Sequence, residues 1–446
     1  MTDCMNPQMV FPFYKHKALT VNFRGGDISS DGGMLLVRQL DERLKIVDRV
    51  VTALTDRRDQ RYVDHDLLSL LRQRIYQIAA GYEDCNDATT LRTDPVFKLC
   101  CDRTNDPGDV LASQPTLSRL ENSIRPRDLY DLSEVLLDMY VSRFTKPPRR
   151  IILDIDSTDD PTYGAQQLSF FNGFYKEHMY HPLLIFDGKR GDLLSAVLRP
   201  GNAGASTDLM PILRRLVARL RAHWKHVKII VRADAGFAIP DLYSYCEDEG
   251  IDYVIGYYGF SSLKTLNKSN VERAERSFKA SNRKVRFLTS TLYRARSWNR
   301  RRRMLMKTEV TSEGVNERFV VTNFRGRALK VYDFYADRGQ VENQMIKELK
   351  LDLSADRLSC HSFTANQFRL LLHGFTYTLL HRLRGALHRT EWATARIDSL
   401  RLKLLKLGAR IVVSCRRVWV LLASGYPYQQ LWRTLFERLS LATGYG

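Results

Sequence analysis

Three acidic residues occupy positions at which carboxylates can share one site. In RRIILDIDST, residues 149–158, the alternation of a strand places Asp154 and Asp156 on one face and Ile151, Leu153 and Ile155 on the other. In VRADAGF, Asp234 closes another predicted strand beside a turn that contains glycine. Glu342 lies further along, in a predicted helix. Because chemistry in open sheets gathers at the carboxyl ends of strands, these carboxylates are expected to converge there.

Three carboxylates that leave water positions open suit Mg²⁺ or Mn²⁺. Two such ions about 3.5–4 Å apart activate a water or a 3′-hydroxyl and stabilise the leaving oxygen in phosphodiester transfer. The alternative for each aspartate is an ordinary cap of a turn or helix, which is a common role for aspartate at the end of a strand.

The stretch YADRGQVENQMIKELK, residues 335–350, holds Tyr335, Arg338 and Glu342 at offsets i, i+3 and i+7. On one continuous α-helix these three side chains share a face. The alternative is that Arg338 and Glu342 form only an i,i+4 ion pair on the helix surface.

The elements around these residues predict an α/β fold. From residue 149 the order of elements is βββαβα, which is that of the RNase H-like core, and Pro147–Pro148 break the helical pattern before it. The predicted domains are a mostly helical DNA-binding region at 1–148, the first part of the core at 149–257, a β-rich insertion at 258–328, completion of the core with the catalytic helix at 329–385, and a C-terminal region with a hairpin and a helix at 386–446.

The composition favours a polyanion as partner. The chain has 69 Lys+Arg against 50 Asp+Glu, a formal net charge of +19. Nucleic acid is the first candidate for such an excess. The start, MTDCMNPQMV, lacks the pattern of a signal peptide, and no run of about 18 apolar residues is present, so we expect a cytoplasmic protein with no membrane partner.

The motifs together resemble a known family. DST at 156–158, DAG at 234–236 and the Tyr-x-x-Arg-x-x-x-Glu pattern from Tyr335 resemble the DDE transposases of bacterial insertion sequences. They resemble more narrowly the cut-and-paste group with a Tyr–Arg–Glu–Lys motif and a β-rich insertion. Stretches such as LDIDSTDDPTYGAQ, LRPGN and RFVVTN are similar to group 1 of these domains, over about residues 10 to 440.

The resemblance implies that Asp156, Asp234 and Glu342 are the catalytic residues and hold two Mg²⁺ or Mn²⁺ ions. Asp156 directly precedes the Ser–Thr pair and is preferred, while Asp154 faces the same way and is the substitute candidate. The implied partners are double-stranded DNA, both at the inverted-repeat ends and at the target, and a second copy of the chain in the synaptic complex.

The resemblance also implies that Tyr335 and Arg338 hold phosphate oxygens of DNA, a role that suits the planar fork of arginine. The lysine of the family motif falls at Leu349 in this chain. Lys347 and Lys350 are therefore the candidates to supply the missing charge.

A basic, aromatic stretch, SWNRRRRM at 297–304, is a second candidate for DNA contact. Its functional interpretation is a phosphate-binding turn in which Trp298 stacks on an unpaired base, and its alternative is a strand-end aromatic beside a solvated turn. The predicted DNA-binding residues of this stretch are Trp298, Arg300, Arg301, Arg302 and Arg303.

Three other features have ordinary alternatives. His178 and His181 are not expected to bind a metal together, because a strand points them apart. Residues 115–122 suit either a recognition helix or a packing helix. The stripe of Leu400, Leu404 and Leu407 suits either a core or a dimer contact.

The predicted function is a metal-dependent DNA transposase. The alternatives are an RNase H-like nuclease without strand transfer, and a DNA-binding repressor or domesticated transposase with an inactive site. The complete set of carboxylates argues against the inactive protein, because carboxylates repel DNA unless a metal ion lies between them.

Overall fold

The computed structural model describes residues 9–339 and 341–440, and side chains at 341–343 lie outside that description. The chain forms two compact units, one of residues up to 120 together with 382–443, the other centred on residues 121–381. Within the described residues, no helix combines the length and apolar character needed to cross a membrane.

Short strands and helices build the first unit. The helix Leu67–Ala80 shows how local signals set the ends of a helix. The carboxylate of Asp66 accepts a hydrogen bond from the Ser69 amide at 2.7 Å, and Gly81 ends the helix with a φ of 93°. The elements before residue 124 are β1 Met9–Phe11, β2 Leu19–Val21, β3 Asp27–Ser29, α1 Met34–Leu44, α2 Ile46–Thr52, α3 Leu67–Ala80, α4 Asp87–Leu91, α5 Pro95–Cys100 and α6 Gln114–Ser123.

The second unit carries the large sheet and confirms the predicted α/β class. Its elements are α7 Pro126–Val141, β4 Arg150–Ser157, β5 Asp160–Pro161, β6 Phe170–Asn172, β7 Glu177–Tyr180, β8 Leu183–Asp187, β9 Leu193–Val197, α8 Leu209–His223, β10 Lys228–Ala233, α9 Pro240–Asp248, β11 Asp252–Tyr257, α10 Ser261–Ser281, β12 Val285–Tyr293, β13 Arg302–Thr311, β14 Gly314–Thr322, α11 Ala328–Ala336 and α12 Phe363–Ala386.

Eight strands form one mixed sheet in the order β12-β13-β14-β11-β10-β4-β8-β9. Strands β4, β10 and β11 are parallel, and β8 and β14 flank them in antiparallel pairing. Ile151, Leu153 and Ile155 of β4 pack into the main core, which also includes apolar residues of α8 and α9. The alternation of β4 leaves Asp154 and Asp156 on the opposite face.

The stretch at 258–328 differs from the predicted β-rich insertion. It opens with the 21-residue helix α10, and its three strands continue the central sheet through the pairing of β14 with β11. Helix α10 was missed because its buried positions are Leu263, Asn267 and Ala274, of which only one is a large apolar residue. The buried Asn267 donates to Thr308 Oγ1 at 2.8 Å and to Glu317 Oε1 at 2.7 Å, so a polar contact stands in place of an apolar stripe.

The C-terminal part of the first unit contains the predicted hairpin. Its elements are α13 Ile397–Leu400, β15 Ala409–Val413, β16 Val418–Leu422 and α14 Gln429–Ser440, and β15 pairs with both β16 and β3. Leu400, Leu404 and Leu407 are all buried within the chain. Their stripe therefore belongs to the core, and its alternative as a dimer contact is wrong.

Candidate active site

Asp156 and Asp234 come to the same level on neighbouring parallel strands. The register pairs Asp154 with Arg232 and Ile155 with Ala233, so the next residue of each strand is a candidate ligand. Asp156 is 8% exposed. The carboxylate of Asp234 accepts a hydrogen bond from the Gly236 amide at 2.9 Å, which fixes the turn after β10. The register thus places two acidic residues side by side at the carboxyl ends of β4 and β10.

Asp154 is committed to a different partner and is not the substitute ligand. Its two oxygens accept hydrogen bonds from Nε and Nη2 of Arg232 at 2.6 and 2.5 Å, and both side chains are almost fully buried. Burial raises the pKa of the Asp154 carboxyl, and the bonds from Arg232 oppose that rise. Gly188 leaves room for the pair, because a Cβ there would lie 2.1 Å from Asp154 Oδ2.

The Asp154–Arg232 pair also reaches the helix that carries the predicted phosphate-binding residues. Nη1 of Arg232 donates to the carbonyl oxygen of Phe334 at 2.7 Å, and its guanidinium lies 5.0 Å from the centre of the Phe334 ring. Phe334 directly precedes Tyr335 in α11. A signal for Arg232 was present in the sequence, since it precedes Asp234 by the same two residues by which Asp154 precedes Asp156.

Arg338 contacts Asp156, and Tyr335 lies near the turn that follows Asp234. Nη1 of Arg338 donates to Oδ2 of Asp156 at 3.0 Å. The hydroxyl of Tyr335 lies against Gly256 of β11, where a Cβ would come within 2.6 Å of it and 3.2 Å of the Asp234 carbonyl carbon. Burial raises the pKa of Tyr335, the charge of Asp234 adds to the rise, and Arg338 opposes it, so the phenol stays protonated at neutral pH.

These residues do not lie on one continuous α-helix, which corrects the prediction. Helix α11 ends at Ala336, Arg338 lies in the turn that follows, and π-helical turns run over Val341–Ile346 and Glu348–Asp352. Gly339 follows Arg338, and glycine weakens a helix interior, which gives a reason for the break. The side chain of Glu342 lies outside the described residues, so its place as the third carboxylate stays a prediction.

Leu349, Lys350 and Lys347 differ in exposure and in contacts. Leu349 is 2% exposed and packs in the interior. The Nζ of Lys350 pairs with Oδ2 of Asp159 at 2.6 Å, three residues beyond Asp156. Lys347 is exposed. Lys350 is therefore the lysine held beside the strand that carries Asp156, and Asp159 is a contact that the sequence interpretation missed.

The basic stretch after α10 is mainly structural. Trp298 is 2% exposed and packs edge-on against the rings of Tyr243, Tyr257 and Tyr293. A ring buried in this way presents no face to a base, so the predicted stacking role of Trp298 does not fit its position. The large indole side chain fills part of the core instead.

The arginines of that stretch divide in the same way. Arg302 is buried and donates to both oxygens of Glu247 at 2.7 and 2.9 Å, and Arg303 donates to backbone carbonyls of residues 324 and 326. Burial and these bonds contradict the predicted phosphate contact of Arg302, whereas the phosphate contact of Arg303, which is only partly buried, stays a prediction. Arg300 is half exposed and lies 3.1 Å from Glu247. Arg301 is exposed and keeps its predicted role as a candidate for DNA contact.

The other sequence candidates have structural roles. His178 is exposed on β7, whereas His181 is buried, and its Nδ1 lies 2.7 Å from the carbonyl oxygen of Ala203. The two histidines therefore form no common site. In the stretch 115–122, Glu121 is 1% exposed and lies 3.7 Å from Arg369, which favours the packing alternative for that end of the helix.

A search of curated proteins found no significant match. Among solved structures, a chain from the cryo-EM structure of the piggyBac transposase synaptic complex with hairpin DNA is similar at 11% sequence identity and a TM-score of 0.44, over 92% of this chain and 85% of that chain. The model of the family described as transposase DDE domain group 1 matches residues 11–443. Because that match spans nearly the whole sequence, the chain belongs to the group 1 transposase DDE domain family.

Proposed function

We propose that this chain is a DNA transposase that cleaves phosphodiester bonds at the inverted-repeat ends of an insertion sequence and joins the freed 3′-OH ends to target DNA. One observation carries the proposal. Asp156 and Asp234 end adjacent parallel strands at one level, and Arg338 donates to Asp156 at 3.0 Å. Membership of the transposase family supports the same chemistry.

The sheet supports an RNase H-like catalytic core. Strands β4, β8 and β9 follow one another in antiparallel pairing, and β10 and β11 then add in parallel on the other side of β4. The resulting order is β9-β8-β4-β10-β11, with helices α8 and α9 in the two connections that lead to β10 and β11. This succession agrees with the βββαβα order predicted from the sequence.

The donor set at the strand ends fits a divalent cation. Neighbouring strands lie about 4.8 Å apart, so Asp156 and Asp234 offer carboxylate oxygens to one region of space. Among side chains that the structure describes, no three acidic, histidine or cysteine residues form a metal-binding group, and Glu342 is our proposed third ligand. Two Mg²⁺ or Mn²⁺ ions held there would activate the attacking oxygen and stabilise the leaving oxygen.

The chain's own residues then bind and orient the DNA. Arg338 places a guanidinium beside Asp156 and offsets the repulsion between that carboxylate and a phosphate. We propose that the same guanidinium binds a phosphate oxygen near the scissile bond, and that the neutral phenol of Tyr335 donates a hydrogen bond to a second one. The chain would act as a homodimer on paired ends, in the bacterial cytoplasm.

The test is cleavage and joining of a duplex that carries the element end, with Mg²⁺. Asp156→Asn, Asp234→Asn and Glu342→Gln should each abolish cleavage and leave melting temperature and end binding nearly unchanged. Asp248→Asn is the matched control, since that side chain is 73% exposed. Cleavage without a joined product would favour the nuclease alternative, and binding without cleavage would favour the inactive DNA-binding protein.

A further inference from the structure

The hairpin formed by β6 and β7 exposes aromatic rings that no element of the described chain covers. Phe171 is 55% exposed and Phe174, in the turn of the hairpin, is 86% exposed. Tyr163, which follows β5 at the edge of the same small sheet, is 94% exposed. Aromatic rings are usually placed in cores or interfaces, because they bury a large apolar area. Rings exposed to this extent indicate a partner.

The hairpin is firmly held although its rings are exposed. The amide of Asn172 donates to the carbonyl oxygen of Gly201 at 2.8 Å, and its side-chain oxygen accepts bonds from the backbone amides of Phe174 and Tyr175 at 3.0 and 3.3 Å. Gly201 allows this contact, because a Cβ there would lie 2.3 Å from the Phe170 carbonyl oxygen. The rings are therefore presented in a fixed orientation.

The two faces of the hairpin carry different residues. Phe170 is 42% exposed and pairs with the buried Met179, and the next pair, Phe171 with His178, points the other way. The rings of Phe171 and His178 lie 5.8 Å apart, and both side chains are exposed. These two rings therefore face solvent together on one side of the hairpin, and Phe174 adds an exposed ring in its turn.

The hairpin lies close to the candidate active site. Strand β7 leads through Pro182 into β8, where Leu184 is the direct partner of Asp156. Leu184 is six positions after His178, so their Cα atoms lie at most about 20 Å apart. That upper limit corresponds to about six nucleotides of a DNA strand at 3.4 Å each.

Cationic side chains lie on the hairpin and on a segment bonded to the loop before it. Lys176 is exposed in the turn of the hairpin. The segment that carries the exposed Arg357 is tied to the loop between β5 and β6 by a hydrogen bond from the Gln167 amide to the His361 carbonyl oxygen at 2.9 Å. Exposed rings next to positive charges are the combination that binds single-stranded nucleic acid, with stacked bases and neutralised phosphates.

We propose that the hairpin of β6 and β7, with Tyr163 beside it, is a stacking platform for unpaired bases within about six nucleotides of the cleaved phosphate. The inference rests on the proposed function and adds a base-binding site to it. Phe171 and Phe174 stack on bases of a locally unpaired strand, and Lys176 contacts its phosphates. This platform takes the role that the buried Trp298 does not fit.

The experiment measures binding of the full chain, in EDTA, to two probes. One is a paired duplex of the element end, and the other is the same duplex with a tail of about six unpaired thymines. Phe171→Ala and Phe174→Ala should each weaken binding of the tailed probe about 5- to 150-fold and leave the paired probe unchanged. Phe174→Tyr should keep the affinity, and Tyr258→Ala, an exposed aromatic outside the platform at 57%, should change neither probe.

A second readout follows stacking directly. A 2-aminopurine in the tail should lose fluorescence on binding, and Phe174→Ala should restore it. Equal weakening of both probes, no weakening, or a changed oligomeric state of the free variants would overturn the platform, the last because the rings would then join copies of the chain. If the unaltered chain binds neither probe, the proposed function fails as well, whereas normal binding of the paired probe confines the failure to the platform.

Discussion

The buried pair of Asp154 and Arg232 leads to a prediction that separates Asp154 from the catalytic carboxylates. Asp154→Asn removes the negative charge and leaves the guanidinium of Arg232 uncompensated in an interior where both side chains are at most 2% exposed. Removing one partner of a buried ion pair costs about 3–5 kcal/mol, because the remaining charge loses its counterion without regaining water.

The size of the unit converts this cost into a melting temperature. The sheet belongs to a compact unit that spans residues 121–381. For a unit of this size, each kcal/mol lowers the melting temperature by about 2–4 °C. Asp154→Asn should therefore melt about 6–20 °C below the unaltered protein. Asp156→Asn should melt closer to it, because Arg338, the partner of Asp156, is 15% exposed and keeps access to water.

A paired substitution distinguishes stability from positioning. Replacing a buried ion pair by apolar residues of similar volume is often neutral, so Asp154→Leu with Arg232→Met should recover much of the lost stability. Cleavage should stay low in this double variant, since the bond from Arg232 to the Phe334 carbonyl, which steadies the helix end before Tyr335, is also lost.

The assays are differential scanning calorimetry and single-turnover cleavage on the same preparations. If Asp154→Asn melts within about 3 °C of the unaltered protein and yet cuts no DNA, the structural role assigned to Asp154 is wrong. Asp154 would then return as a metal ligand. If the double variant cuts DNA normally, the link through Phe334 plays no part in positioning.

The Lys350→Ala variant should cleave DNA about 10- to 150-fold more slowly if the Lys350 ammonium contacts phosphate. The Leu349→Lys variant should mainly have a lower melting temperature, because Leu349 is 2% exposed. Normal cleavage by Lys350→Ala would show that Lys350 does not supply the missing charge. Trp298→Ala should destabilise the protein by about 3–5 kcal/mol in urea unfolding and Trp298→Phe by less, and a loss of DNA binding at full stability would contradict its place in the core. Burial lowers the pKa of His181, so protonation favours the unfolded chain, and stability should fall as the pH drops through about 6.5, the pKa of an unfolded histidine. The His181→Asn variant should show a smaller difference between its urea unfolding midpoints at about pH 7.5 and about pH 5.5. An unchanged difference would refute the role of His181 in this pH dependence.

The strand that carries the aspartates was predictable because two local rules agree there. Alternation in β4 separates apolar from acidic positions, and the strand is long enough for the period to be visible over eight residues. The same rule places Arg232 on the face of β10 that also carries Asp234, yet the ion pair with Asp154 could not be predicted, since it depends on which strand lies beside β4 and in what register.

The stretch from Tyr335 to Lys350 shows where periodicity stops being informative. The prediction assumed one regular helix, and the break after Ala336 and the π-helical turns change the phase of every later residue. The contacts of Arg338 with Asp156 and of Lys350 with Asp159 then come from different segments. The prediction for Trp298 was wrong for a related reason. Composition alone does not distinguish an aromatic residue at a surface turn from one that fills a core.

The pairing of β14 with β11 limits how this protein can be rearranged. Residues Val254–Tyr257 of β11 exchange backbone hydrogen bonds with Phe319–Thr322, so the stretch 258–328 supplies the outer neighbour of a strand next to the candidate active site. Deleting that stretch, or exchanging it for one from another protein, would leave a row of unpaired amides and carbonyls on β11, which is a template for aggregation. A functional chimera must therefore keep β14 or bring a replacement strand with the same direction and register. An exchange that also removes β13 must cover β14 again, because β13 pairs with β14 along its whole length.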